Sequence, residues 1–257
     1  MKLVIITGIT GKLGAEYLKN FQFKKRYKCL ALIRNKSIEL GKNVDYHFAN
    51  LLNQEEVEKS LSNLNIVPYD EIIFIHPIGM FKFERYGIPL LDKDKDGIDD
   101  EIFASNVKTF LNVFNILKDK IKKQNSKVKL TVFAFGSITH NYNIPFWQSY
   151  TKSKQYLKKI IKENIEEKSI KIKCIFVNVS TVDTGNERNL RPNADRRYWL
   201  TTKEIVKISL KYLNKESNKW MEVSVYKNHP KFDPTWYTNH ENVLKRWQEQ
   251  MGINGST

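Results

Sequence analysis

Short apolar runs rich in Val, Ile and Phe recur near residues 2–7, 28–33, 44–48, 69–76, 128–135, 170–179 and 220–226. Between them lie longer stretches with the spacing of amphipathic helices, near 12–23, 54–63, 99–123, 147–167, 202–214 and 240–250. Continuous apolar runs fit strands buried on both faces, and their alternation with helices predicts a parallel sheet covered on each side. The expectation is therefore an α/β, doubly wound fold with seven parallel strands, forming one domain over residues 1–257. The stretch 185–200 is polar, carries Pro192 and reads as a loop; residues 227–257 read as a C-terminal extension.

A hydrophobic content of 41% over 257 residues suffices for one substantial core. No stretch approaches the roughly 18 consecutive apolar residues of a membrane span, and the first residues enter a strand rather than a charged and apolar leader. A cytoplasmic protein without a membrane partner is expected. Cys29 and Cys174 lie inside apolar runs, which predicts buried, reduced thiols. The net charge of +15 would suit nucleic acid, but the lysines are scattered rather than gathered in one basic arm, so no nucleic-acid partner is expected. Arginine is distributed differently: four of the eight fall within ten residues, at Arg188, Arg191, Arg196 and Arg197.

The stretch "TGITGKLG", residues 7–14, follows the first apolar run directly. In doubly wound sheets this strand-to-helix turn holds a pyrophosphate at the positive end of a helix. Gly8 permits the turn, Gly11 lets the backbone approach the phosphates and Gly14 lets the helix pack on the sheet, while Thr10, Lys12 and Leu13 complete the loop. A tight turn without a ligand is the other reading; the position between strand and helix favours a dinucleotide. The second run, "CLALIRNKS", ends in Arg34, then Asn35 and Lys36, with no acid until Glu39. Arginine grips a phosphate through two parallel hydrogen bonds, whereas an acid there selects a free ribose hydroxyl. NADP, with NADPH preferred over NADH, is the expected cofactor; a solvated strand-end arginine is the alternative.

"FGSITHNYNIPFWQSYTKSKQYL" places Ser137 at a strand end, Tyr150 thirteen residues on, and Lys154 four further. On one helix, a spacing of four puts the phenol and the ammonium on the same face. A cation beside a phenol lowers its pKa from about 10 and lets it exchange a proton near neutrality. Together with the glycine loop, these residues resemble the short-chain dehydrogenase/reductase family over roughly residues 2–226. The glycine pattern is similar to that of the extended and atypical branches, the length to that of the short members.

The resemblance implies a Rossmann fold and a Ser-Tyr-Lys site at Ser137, Tyr150 and Lys154, with Asn106 holding a proton-relay water. It also implies that Asn50 and Leu51 lie beside the adenine. Two stretches depart from the family pattern. His76-Pro77-Ile78-Gly79 stands where Asn-Asn-Ala-Gly is common, and Val179, Val182 and Thr184 only partly match a Pro-Gly-x-Val-x-Thr stretch. Both belong to the expected nicotinamide side. His76 either touches substrate or cofactor or holds the strand end. The implied reaction is reversible hydride transfer between NADP(H) and a carbonyl or alcohol of a small molecule. A homodimer or homotetramer, formed through the helices near 99–123 and 147–167, is implied as well.

In the family, the segment after the sixth strand covers the substrate, and here it reads "GNERNLRPNADRRYWLTT". Its arginines suit a carboxylate or phosphate on the substrate; cofactor phosphates and plain solvation are the other readings. Tyr198 and Trp199 offer an apolar wall or core packing. The acidic "DKDKDGIDDEIF" imitates the opening of a calcium loop through Asp92, Asp94, Asp96 and Gly97. Phe103 occupies the twelfth position, where such a loop needs Glu, so no metal is expected; Asp99, Asp100 and Glu101 instead suit a helix N-terminus. Two further functional classes stay open: a non-catalytic NADP-binding sensor or scaffold, and a sugar-nucleotide epimerase or dehydratase. The short C-terminal region speaks against the latter.

Overall fold

The computed structural model describes residues 1–34, 43–85, 88–124, 127–167, 169–215, 219–227 and 237–253. Seven strands, β1 (Lys2–Thr7), β2 (Tyr27–Ile33), β3 (Val44–Phe48), β4 (Glu71–His76), β5 (Lys129–Ser137), β6 (Ile172–Val179) and β7 (Trp220–Val225), form one sheet. All pair in parallel, in the order β3-β2-β1-β4-β5-β6-β7. The helices are α1 (Lys12–Phe21), α2 (Gln54–Leu61), α3 (Asp100–Phe103), α4 (Thr109–Lys123), α5 (Gln148–Ile165), α6 (Gly185–Leu190), α7 (Thr202–Leu210) and α8 (His240–Met251). The chain winds outward from β1 to β3, then returns to β4 on the other side of β1. That reversal opens a crevice beyond the carboxyl ends of β1 and β4, the place where such sheets bind ligands.

Alternation within the strands builds two cores. Leu3 and Ile5 of β1 pack with Val57, Phe110, Phe114 and Leu157 from α2, α4 and α5. Val4 and Ile6 pack with Tyr17, Phe21, Ile205 and Val206 from α1 and α7. Because both faces are covered, the inner strands are buried along nearly their whole length, whereas the edge strand β7 alternates buried and exposed residues. Cys29 and Cys174 are free and buried within them, and burial pushes the Cys29 thiol up to about 11. Among the described residues, no helix is long and apolar enough to cross a membrane.

A third, aromatic cluster lies outside these layers. Ile144, Phe146 and Trp147 pack against Val243 and Trp247 of α8, with Phe81, Phe83, Tyr150 and Tyr237 around them. The C-terminal extension is thereby part of the domain. Two other expectations need correction. The helix expected over 99–123 is interrupted by a π turn at Ala104–Lys108, and the stretch 185–200 contains α6 and a 3-10 turn at Arg196–Tyr198 rather than loop alone.

The segment leading from β4 to α3 is tied to the start of α5. Buried Glu84 accepts a hydrogen bond from the Ser149 backbone N–H at 2.9 Å, and its own N–H donates to the Phe146 carbonyl at 2.6 Å. The acidic stretch folds on itself: Asp92 accepts the N–H groups of Asp96 and Gly97. Asp99 caps α3 through the N–H groups of Glu101 and Ile102 and pairs with Lys82. Among the described residues, no group of three or more His, Cys, Asp or Glu is arranged to hold a metal.

Burial raises the Glu84 carboxyl above its usual range, with Ser149 opposing and Asp99 and Lys152 making smaller contributions of opposite sign. A raised native pKa means that the native state binds the proton more tightly than the unfolded chain. Stability therefore falls as pH rises from the ordinary carboxylate range through the raised value. Glu84→Gln removes this loss: urea midpoints of the variant exceed those of the parent at neutral pH and converge with them near about pH 4. Parallel pH profiles would contradict the assignment.

Candidate active site

The glycine loop joins β1 to α1. Gly8 has a φ of +61°, a left-handed conformation that favours glycine. A Cβ on Gly14 would stand 2.2 Å from the Gly8 carbonyl oxygen, so the helix reaches the sheet only because that Cβ is missing. α1 opens on Gly11 with no side-chain cap and no acidic residue in its first turn. Its first N–H groups are thus left for an external acceptor. Thr10, Gly11 and Lys12 are exposed, while Leu13 packs toward the sheet.

Arg34 is exposed immediately beyond β2, the neighbour of β1. Asn35 and Lys36 lie outside the described residues. Asn50 is exposed and accepts the Leu52 N–H. The Leu51 side chain points into the core, and its carbonyl accepts from Asn112.

The chemistry expected from Ser137, Tyr150 and Lys154 is assembled at the carboxyl end of β5 and the first turn of α5. Ser137 is the last residue of β5; its Oγ bonds with Thr139 Oγ1 at 2.8 Å and accepts the Thr139 N–H at 3.2 Å. The Ser137 side chain and the phenol of Tyr150 line the same cavity. Lys154, one turn further along α5, is 3% exposed, with its ammonium 5.6 Å from the centre of the Tyr150 ring. Burial alone pulls it down to about 8.

The electrostatics correct the sequence reading. Burial pushes the Tyr150 phenol up to about 12, and the Glu187 carboxylate adds to the rise; Ser137 only partly offsets them. The ring is half-buried, packed edge-on against Phe81 at 5.2 Å, and burial disfavours the charged phenolate.

His76 is buried. Its Nδ1 bonds with Thr7 Oγ1 at 2.9 Å and its Nε2 with Thr109 Oγ1 at 3.1 Å. Both ring nitrogens are used, so the side chain holds the strand end, one of the two readings the sequence offered. Burial, helped by the charge of Lys154, brings it down to about 3 and keeps it neutral. Pro77 is half-buried beyond it. Asn106 sits in the π turn, where its amide donates to Met80 O at 3.0 Å and Ser153 Oγ at 2.9 Å and accepts the Met80 N–H at 2.6 Å. Its side chain holds the Met80 backbone and the Ser153 hydroxyl. A Cβ on Gly79 would lie 3.2 Å from Lys154 Nζ and 3.4 Å from Asn106 Oδ1, so Asn106 fixes the bare peptide that leaves room for the ammonium.

Ser137 and Tyr150 face a cavity of about 620 Å³, with Val179, Val182, Thr184, Arg191 and Trp199 also in its walls. Arg188, Arg196 and Arg197 are not in those walls. Arg188 forks onto Asp183 at 2.5 and 2.7 Å, and Arg197 pairs with Asp195 at 2.5 Å; both side chains are exposed.

Arg191 is buried. It pairs with Glu187, donates to Gln250 Oε1 and Thr181 Oγ1 at 2.9 Å each, and stacks 4.1 Å from the Trp247 ring centre and 5.2 Å from that of Trp199. Arg188, Arg191 and Arg197 are each paired with an acid close in sequence, and Arg196 is exposed. Arg191 clasps α6 to α8.

Sequence reasoning did not find Phe81, Trp147, Trp247 or Glu187. The signals were present in "IPFWQSY" directly before Tyr150 and in Val243 and Trp247, four apart on an amphipathic helix.

No family model matches the chain, and no curated protein matches it in sequence. Solved structures match throughout its length. A short-chain dehydrogenase from Burkholderia cenocepacia J2315 in complex with NADP aligns at a TM-score of 0.68 and 17% identity, over 95% of this chain and 96% of that one. An alcohol dehydrogenase from the archaeon Thermococcus sibiricus complexed with 5-hydroxy-NADP aligns at 0.65 and 18%, over 90% and 100%. A serine dehydrogenase complexed with NADP+ aligns at 0.69 and 12%, over 90% and 98%. The chain has the fold of the short-chain dehydrogenases and reductases.

Arg191→Ala breaks a buried ion pair and two stacking contacts, so it is expected to cost about 3 kcal/mol and to lower Tm by several degrees. Arg191→Lys recovers little, because an ammonium neither forks nor stacks as a guanidinium does. Arg188→Ala leaves Tm essentially unchanged. Differential scanning calorimetry measures all three; equal effects at Arg188 and Arg191 would contradict the clasp.

Proposed function

We propose that this chain is an NADP-dependent oxidoreductase of the short-chain dehydrogenase/reductase type, interconverting a carbonyl and an alcohol on a small molecule. The observation that carries the reading is that Ser137 and Tyr150 stand on the wall of one cavity, with the buried Lys154 ammonium one helical turn away. The residues also fit a dinucleotide. The uncapped N-terminus of α1 accepts a pyrophosphate. Arg34 suits the additional phosphate of NADP, and Lys154, which has no acid in ion-pair range among the described residues, suits ribose hydroxyls.

A nicotinamide, when bound, supplies the hydride or takes it up. The protein handles the proton and the charge. In reduction, the Tyr150 hydroxyl gives its proton to the substrate oxygen while Ser137 Oγ–H donates a hydrogen bond to the same oxygen. Lys154 faces the phenol with a positive charge and so lowers the cost of the phenolate left behind. Asn106 and Gly79 act as positioning residues for Lys154, and α6 with α8 limits the access of water. A homodimer through α4 and α5, and a cytoplasmic setting, belong to the same reading.

One observation favours a second reading, a non-catalytic NADP-binding sensor: the phenol stands raised rather than lowered. Tyr150→Phe separates the two. Under the catalytic reading it reduces kcat by at least about a thousandfold and leaves the NADPH Kd within about twofold, as measured by steady-state kinetics and fluorescence titration. Unchanged turnover would remove Tyr150 from the chemistry. Cofactor choice has its own test. Arg34→Asp weakens NADPH binding by about tenfold or more and affects NADH little; equal losses would show that Arg34 does not read the phosphate.

A further inference from the structure

Lysines scattered along the sequence are gathered by the fold at one end of the sheet, where the strands begin. The backbone places these starts side by side. The Lys2 N–H donates to the Arg26 carbonyl at 3.0 Å, that of Asp70 to Met1 at 3.0 Å and that of Lys129 to Asp70 at 3.2 Å; Leu130 donates to Lys171 at 2.9 Å and Cys174 to Lys219 at 2.7 Å. A cation therefore stands at, or directly before, the first residue of β1, β2, β5, β6 and β7. Three acids of this end are already engaged. Asp70 pairs with the Met1 amine at 2.5 Å, Glu71 with Lys2 at 2.6 Å and Lys129 at 3.8 Å, and Glu167 with Lys118 at 2.9 Å and with Lys122. Lys24, Lys25, Lys123, Lys127, Lys171 and Lys219 are exposed, with no acid in ion-pair range among the described residues. Two apolar tips project at the same end. Phe23, in the turn from α1 to β2, is 74% exposed directly before Lys24, Lys25 and Arg26. Val67, in the turn from α2 to β4, is 65% exposed and is followed by exposed Pro68.

We infer that this end of the sheet docks on an anionic lipid surface, with Phe23 and Val67 entering the headgroup region. The inference is independent of the oxidoreductase reading. Unpaired cations held side by side repel one another, and a surface of negative headgroups relieves that repulsion. Apolar tips beside them add burial at the boundary between headgroups and acyl chains. A nucleic acid would share the phosphate attraction, but Val67 and Pro68 offer no aromatic face on which a base could stack. The contact is peripheral, since no helix among the described residues is long and apolar enough to cross a membrane. The cavity lies at the opposite end of the sheet, where β5 and β6 finish in Ser137 and Val179. A docked chain therefore keeps its cavity facing away from the lipid.

The test is co-sedimentation of the full chain with vesicles of phosphatidylcholine, alone or mixed equally with phosphatidylserine. The expected result is binding about tenfold or more tighter to the mixed vesicles, weakening as salt rises. Lys24→Gln together with Lys25→Gln lowers that affinity about tenfold. Lys93→Gln together with Lys245→Gln removes the same charge from exposed positions on the cavity side and changes it by less than about twofold. Phe23→Ser weakens binding severalfold and leaves the salt dependence in place. All these side chains are exposed, so the variants keep the parent's Tm, which calorimetry checks. Equal binding to the two compositions, no binding to either, or equal losses from the two lysine pairs would overturn the inference. Binding of a nucleic-acid duplex with none to the mixed vesicles would overturn it too.

Discussion

Burying the Lys154 ammonium without a carboxylate is the constraint around which the site is built. Among the described residues no acid lies in ion-pair range of it, and desolvation pulls it to about 8. A charge in such a place is costly unless hydrogen bonds replace its water. Its neighbours accommodate it. Gly79 supplies a peptide without a side chain, Asn106 holds that peptide through Met80, and His76 stays neutral behind it, fixed by Thr7 and Thr109. A protonated His76 would put a second buried cation beside the first. The π turn belongs to the same arrangement, since it sets Asn106 between Met80 and Ser153; such turns concentrate at functional sites.

Around this centre the cavity is closed by pieces far apart in sequence. β5 and β6 end in Ser137 and Val179, the segment after β4 brings Phe81, α6 brings Glu187 and Arg191, and α8 brings Trp247 and Gln250. Arg191 makes one unit of the last two. Glu84, from the β4–α3 segment, reaches the N-terminal turn of α5, where Tyr150 stands one residue beyond the Ser149 N–H it accepts. The phenol thus stands half-buried on the cavity wall, and burial raises its pKa.

The parts legible in sequence are those fixed locally. Apolar runs marked the inner strands because both faces of the sheet are covered there, and the positions of Gly8, Gly11 and Gly14 follow from one turn. Ser137, Tyr150 and Lys154 could be joined because a strand end and a four-residue helical spacing bring them together. What was illegible depends on distant partners. The direction of the Tyr150 shift is set by burial against Phe81, and the fate of Arg191 by Gln250, 59 residues later. The π turn carries no composition signal in "ASNVK", and the partners of His76, Thr7 and Thr109, lie 69 and 33 residues away in sequence.

The central claim is that Tyr150, Ser137 and Lys154 form one site with a nicotinamide cofactor over a shared cavity. A crystal structure with NADPH bound tests it most directly, through the distance from the reactive carbon of the nicotinamide to the Tyr150 hydroxyl. The account predicts about 4 to 5 Å, enough for a carbonyl in near-attack geometry, with the ribose at Lys154. A nicotinamide held away from Tyr150 by Pro77 and Ile78, or a ribose that leaves Lys154 unpartnered, would contradict it.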